Sequence, residues 1–287
     1  MSRTTQSEIQ ESPVSSGKFL KWTTVKETIV VDGDEVDKIK GGTFQYFDKE
    51  LGDAGEKVNL KLPFRFAVLN ADYVTFKGYD EKKKRGVWSN EGAKPEHQIT
   101  IKAKDENLLS FKIGDYSVDK SKDQASEKER VTKLKDAVKG TSAKYTKSVY
   151  IAVDVDGEYE IWNLQISGAA LSGSPVDFNK MSAEEKKEGW LNFSNNNRSK
   201  FFSHFIEVKE FKLKKKGDSK FTIPIFEIGD EISKEDGEVL DGLDKELNKY
   251  FAYYHKPKAE KKEEEQDEPD DEQDPSKLYD EEGNELF

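Results

Sequence analysis

Aromatic and cationic side chains are interleaved along this chain in a pattern that suits unpaired bases. A single strand of nucleic acid offers flat π faces and a row of phosphates. A sequence-tolerant binder therefore sets rings beside Lys or Arg, each stacked ring contributing about 1 to 3 kcal/mol and each neutralised phosphate adding salt dependence. The candidate rings are Trp22, Phe44, Tyr46, Tyr79, Trp88, Tyr145 and Trp162, and the candidate cations are Arg65, Lys77, Lys83, Arg85 and Lys144. The densest cluster runs from Lys82 to Arg85, bracketed by Tyr79 and Trp88. Taken singly, each ring fits a hydrophobic core at least as well as a stacking platform; only the collection favours stacking.

Other chemistries lack their residues. His97, His204 and His255 stand far apart, and none has the HExxH spacing of a zinc site. Gly168 and Gly173 have the spacing of a phosphate loop, but Ser174-Pro175 follows where Lys-Ser/Thr is required. Asp154-Val155-Asp156-Gly157 opens like a calcium loop and then lacks its later ligands, so it reads as a hairpin turn. With no cysteine there is no disulfide, thiolate zinc site or cysteine nucleophile. Neither catalysis nor a cofactor or metal is expected.

Charge divides the chain in two. From Ala259 onward fourteen carboxylates face three lysines, a net of −11 that equals the charge of the whole protein. The first 258 residues are therefore balanced, with 44 basic and 44 acidic side chains, and can carry a basic face. The acidic run has no apolar period and is broken by Pro269 and Pro275, so it is expected to be disordered. It closes on Asp280, Glu281, Glu282, Glu285, Leu286 and Phe287, a short acidic-apolar ligand for a basic-rimmed hydrophobic pocket. Met1 to Ser16 lacks the apolar core of a signal peptide and no run is long enough for a membrane span, so a cytoplasmic protein is expected.

The elements that must position the rings are mostly strands. Gly17 to Val31, Gly41 to Glu50, Val58 to Gly78, Ile99 to Lys104 and Leu108 to Ile113 have β composition or alternation, with Pro63 marking an edge or bulge. Lys77 to Glu91 reads as a loop, and Ser126 to Lys139 as an amphipathic helix with Ser126 and Glu129 as its capping box. Lys144 to Ile166 is the strongest hairpin, turning at Asp156-Gly157, and a second spans His204 to Ile228, turning at Lys216-Gly217-Asp218. Ser182 to Gly189 suggests a short helix, and Val239 to Tyr254 a final one. The expectation is a mainly β, α+β chain: an OB-like antiparallel barrel over residues 17–255 with inserted and C-terminal helices, a disordered 1–16 and an acidic tail from 256 to 287.

Two resemblances sharpen this. The acidic run ending in Phe287 looks like the tail ends of bacterial and phage single-stranded DNA-binding proteins, which recruit replication partners through them. The strings Gly42 to Glu50, Leu62 to Leu69, Gly86 to Glu91, Lys144-Tyr145 and Ile161 to Leu171 resemble a phage single-stranded DNA-binding family of crAss-like and related tailed phages, over residues 17 to 180. The resemblance implies an OB-type fold, no catalysis, and work in replication and recombination in the host cytoplasm. It also implies single-stranded DNA as ligand and a polymerase, helicase or primase as the tail's partner. An RNA-binding or annealing protein, or a phage structural protein, would share these features, and the sequence leaves self-association open.

Overall fold

The computed structural model describes residues 18–31, 34–48, 51, 55–104, 106–173 and 188–254. The expected N-terminal disorder, residues 182–187 of the expected short helix and the acidic tail with its Asp280–Phe287 end lie outside them; Glu188 and Gly189 are described and are not helical.

Twelve strands form the framework: β1 Phe19–Val31, β2 Asp34–Asp48, β3 Glu56–Asn59, β4 Phe64–Asn70, β5 Val74–Asp80, β6 Arg85–Ser89, β7 Gln98–Ala103, β8 Glu106–Lys112, β9 Ala143–Val155, β10 Glu158–Ser167, β11 His204–Lys216 and β12 Ser219–Glu231. Among the described residues four α-helices accompany them: α1 Gln124–Gly140, α2 Gly168–Ser172, α3 Trp190–Asn196 and α4 Lys234–Tyr254. The protein is thus mainly β with a few helices. The strands run in the order β3-β2-β1-β10-β9-β5-β6-β7-β8. β9 also pairs with β4, which pairs with β11, which pairs with β12.

Among the described residues all pairings of the named strands are antiparallel except β1 with β10, where Phe19 lies opposite Asn163 and Leu20 opposite Leu164. Because β9 is long, β5 pairs with its first residues and β4 with its later ones, and the sheet forks there. The fork lets β4, β11 and β12 curl back toward β1 and β2 without a continuous ladder. The gap is bridged by side chains: Thr222 N–H donates to Thr24 Oγ1 at 2.9 Å, and Trp22 Nε1 donates to the Thr222 carbonyl at 3.0 Å. The sheet is therefore open, with no ladder among the described residues closing it into the expected OB-like barrel. Gly42 permits the close approach, since a Cβ there would sit 2.2 Å from the Trp22 indole and 2.5 Å from Thr222 Oγ1.

The inner face carries the main core, in which Leu20, Phe44, Phe66, Val149, Ile151, Leu164 and Ile206 are fully buried around Trp190. A second core of Phe76, Val87, Ile99, Ile101 and Phe111 lies under α1, on the same side of the sheet, because Tyr145 on β9 touches both. Helix α4 covers part of the opposite face, where Phe251 stacks on Tyr73 at 4.0 Å and Leu247 packs beside Tyr150 and Ile161.

Local chemistry explains several boundaries. Asp156 and Gly157 both adopt positive φ, 56° and 92°, as a type I′ turn requires, and Asp154 accepts from Gly157 N–H. The α1 cap is Asp123, which accepts from Ser126 N–H, so the helix starts before the expected Ser126–Glu129 box. Pro63 follows Leu62 through a cis peptide and precedes β4, an interior strand, so it ends a loop instead of marking an edge. Lys77 to Glu91 is mostly strand, β5 and β6 joined by a turn at residues 81–84, and the lysines that resemble a loop occupy only that turn.

Candidate nucleic-acid interface

The register places three lysines and a tryptophan in one row across four strands. Lys144 on β9 lies opposite Lys77 on β5, Lys77 opposite Trp88 on β6, and Trp88 opposite Lys102 on β7. Neighbouring strands are about 4.8 Å apart, so these side chains rise side by side. Phe76 and Tyr145, next to them in sequence, point to the inner core, which directs Lys77 and Lys144 to the outer face. Tyr79, half-buried, follows two residues after Lys77 on that face and leads to the exposed Lys82, Lys83 and Lys84 of the turn.

A second outer row crosses five strands: Asn59 on β3, Gln45 on β2, Lys21 on β1, Gln165 on β10 and Ser148 on β9. It carries carboxamides, a hydroxyl and an ammonium. Gln45 Nε2 donates to Asn59 Oδ1 at 3.0 Å, and Gln165 Nε2 is buried with no hydrogen-bond partner among the described residues. Phe19, two residues before Lys21, shares the face, and Lys77 Nζ lies 4.9 Å from the centre of its ring. This contact joins the two rows.

One carboxylate anchors the floor between them. Glu91, just past β6, accepts from Ser148 Oγ, from the Tyr150 hydroxyl at 2.5 Å and from Asn163 Nδ2 at 3.3 Å. Ser148 and Asn163 are fully buried, so the carboxylate satisfies polar groups that would otherwise be costly inside the sheet. On β9, Lys147 donates to the Asp72 carbonyl at 3.0 Å, and burial pushes its pKa down.

The nominated residues divide between the two faces. Lys77, Tyr79, Trp88 and Lys144 come together on the outer one, with Lys83 and Arg85 at the adjoining turn. Arg85 is held by Glu106 at 2.7 Å, and that contact draws the Glu106 carboxyl below its ordinary range. Trp88 is only 7% exposed, so it underlies the lysines and does not offer an open ring face.

Trp22, Phe44, Tyr46, Tyr145 and Trp162 lie on the inner face, which corrects their expected role as solvent-facing platforms. Trp22 packs edge-on against Phe44 at 5.0 Å, and Tyr145 stacks on Tyr116 at 5.7 Å, where burial first and Tyr116 second push its hydroxyl up to about 12. Tyr46 and Trp162 enclose Lys18, whose Nζ lies 5.1 and 4.9 Å from their ring centres, while Trp162 Nε1 donates to Glu160. Arg65 stands apart, exposed on β4, with its guanidinium 3.7 Å from the centre of Phe205.

Sequence reasoning missed Phe19, Lys21, Gln45, Asn59, Lys102 and Gln165. In Lys18-Phe19-Leu20-Lys21-Trp22 both alternating sets carry an apolar ring, so the period of two cannot say which set faces inward. The parallel partner Leu164 decides it by burying Leu20. Among the described residues no cluster of three or more potential metal ligands forms, and no helix is long and apolar enough to cross a membrane. Compared with known proteins, the chain matches no family model, no curated protein and no solved structure.

Proposed function

We propose that this chain binds single-stranded DNA without sequence preference, as a phage replication and recombination protein, on the outer sheet face from Lys21 and Phe19 through Lys77 and Lys144 to the turn at residues 81–84. The observation that carries the reading is the adjacency of lysines, half-buried rings and carboxamides across neighbouring strands. Ammonium groups on stiff strands suit a phosphate row, and side-chain amides hydrogen-bond base edges of any identity. No reaction is assigned to this face.

The finer fold reading accompanies this one. The order β4-β9-β10-β1-β2 gives five strands with one parallel pair, which we read as an OB-like, partly open barrel, with β11 and β12 inserted where β2 would meet β4. The acidic residues after Ala259 then act as a tethered competitor for the lysine face, and DNA releases Leu286 and Phe287 to a polymerase, helicase or primase. The site needs no cofactor.

Fluorescence anisotropy of a labelled oligo(dT) across a salt series tests the reading. Tight binding at low salt that weakens steeply as salt rises is expected. Equal affinity for a matched RNA oligomer transfers the reading to an RNA-binding or annealing protein. No binding at low salt removes it in favour of a structural role.

A further inference from the structure

The segment from α3 into the start of β11 has an anomalous composition. Acidic residues make up about one in five of the chain, yet from Gly189 to Ile206 there is none in eighteen residues. The same stretch holds Arg198, Lys200, four asparagines and three serines. It is also where the structure leaves a ring in solvent. Phe202 is 61% exposed, well above the 37% of Phe211, the next most exposed aromatic among the described large hydrophobics.

This ring stands on a rigid support. Phe201 beside it is buried against Trp190 at 5.4 Å, and Phe202 meets Phe201 edge-on at 5.1 Å and 89°. The backbone between them is cross-linked: Lys200 N–H donates to the Asn197 carbonyl at 2.9 Å, and His204 N–H to the Lys200 carbonyl at 3.0 Å. Arg198 and Lys200 are both exposed on this turn, and Arg198 is steadied by Asn195 at 3.1 Å. β11 runs in the same direction as β9, through their common antiparallel neighbour β4, so the turn ahead of it stands toward the end of the sheet where β9 begins.

A single exposed apolar residue is ordinary on a protein surface. A pinned ring flanked by two cations and amides, in a segment cleared of carboxylates, has a more specific complement. We infer that Phe202 is a stacking platform for one base of a single strand, with Arg198 and Lys200 receiving the phosphates on either side. The inference rests on the single-strand reading above and extends it to a second contact, separate from the lysine rows. The ligand class is a nucleotide unit within a polyanionic strand, and a purine or pyrimidine serves equally because every base has a π face.

The test uses the full chain and labelled oligo(dT). Phe202→Ala is expected to weaken binding about fivefold or more, the loss of one stacked base. Phe202→Trp is expected to retain wild-type affinity and to add a solvent-exposed emission that saturating oligo(dT) quenches. Wild-type affinity in Phe202→Ala, or an unquenched Phe202→Trp at saturation, overturns the platform while leaving the single-strand reading standing. Failure of the wild-type chain to bind oligo(dT) at low salt overturns both.

Discussion

Lys77 Nζ sits 4.9 Å from the centre of the Phe19 ring, although the two residues belong to strands separated in the sheet by β9 and β10. The contact requires the outer face to fold toward itself there, which gathers the Lys21 row and the Lys77 row into one surface. A cation over a ring remains accessible to phosphate while its stem covers apolar area.

Removing these cations reports on the interface directly. Lys77→Ala and Lys144→Ala are each expected to weaken oligo(dT) binding several-fold and to lower the slope of log affinity against log salt by about 0.7. Thermal stability should barely change, because both side chains lie on the outer face. A salt series on each variant checks this, and an unchanged slope counts against phosphate contact at these positions.

Trp22 and Phe44 should behave as core residues. Trp22→Phe keeps the apolar contact and loses the bond to Thr222, at a cost of about 0.5 to 1.5 kcal/mol. Phe44→Ala opens a cavity beside Phe64 and costs about 3 to 5 kcal/mol. Denaturant melts measure both. The folded fraction of Trp22→Phe should bind oligo(dT) as tightly as wild type.

Intrinsic fluorescence gives a further check. Trp88, Trp162 and Trp190 are at most 7% exposed, and Trp22 is half-buried. The native emission is therefore expected to be blue-shifted and poorly quenched by iodide. Oligo(dT) should alter it little, since no native indole offers an open face. Strong quenching by oligo(dT) would instead mean that an indole leaves the core on binding.

Acid should loosen the start of α1. Arg130 first, then the Asp119 N–H, hold the Glu127 carboxyl at about 2 against an ordinary 4.5. A folded value below the unfolded one means the contribution is complete above pH 4.5 and is lost as the pH falls toward 2. Glu127→Gln should lower stability at neutral pH and flatten the loss across that window, as followed by circular dichroism.

Deleting residues 259 to 287 removes fourteen carboxylates and is expected to tighten oligo(dT) binding, most at low salt. The gain should vanish as salt rises. If the tail recruits a replication partner as proposed, the same truncation should abolish that capture. Unchanged affinity across the salt series would end the competition idea.

Local signals made part of this structure legible beforehand. Asp156-Gly157 and Lys216-Gly217-Asp218 mark two of the long hairpins, and the spacing of Val131, Leu134 and Val138 marks α1. Non-local pairings left no such mark. Nothing near Phe19 announces Asn163 as its partner, so the face of β1 that meets solvent could not be assigned. The rings drew attention because they are large, yet a large apolar ring gains most from burial, and Phe44, Tyr46 and Trp162 went inside. The residues left outside, Lys21, Gln45, Asn59 and Lys102, look like any polar surface until the register lines them up.

The parallel pairing of β1 with β10 also orders events during synthesis. The first hairpin emerges early, but the strand that pairs in parallel beside Leu20 is complete only once Leu164 has been made, and the Trp22 bond to Thr222 waits longer still. Until then a nascent chain carries an unclosed apolar ribbon, so assembly is governed by late segments returning to the earliest one, and slow translation would lengthen its exposure to chaperones and to neighbouring copies.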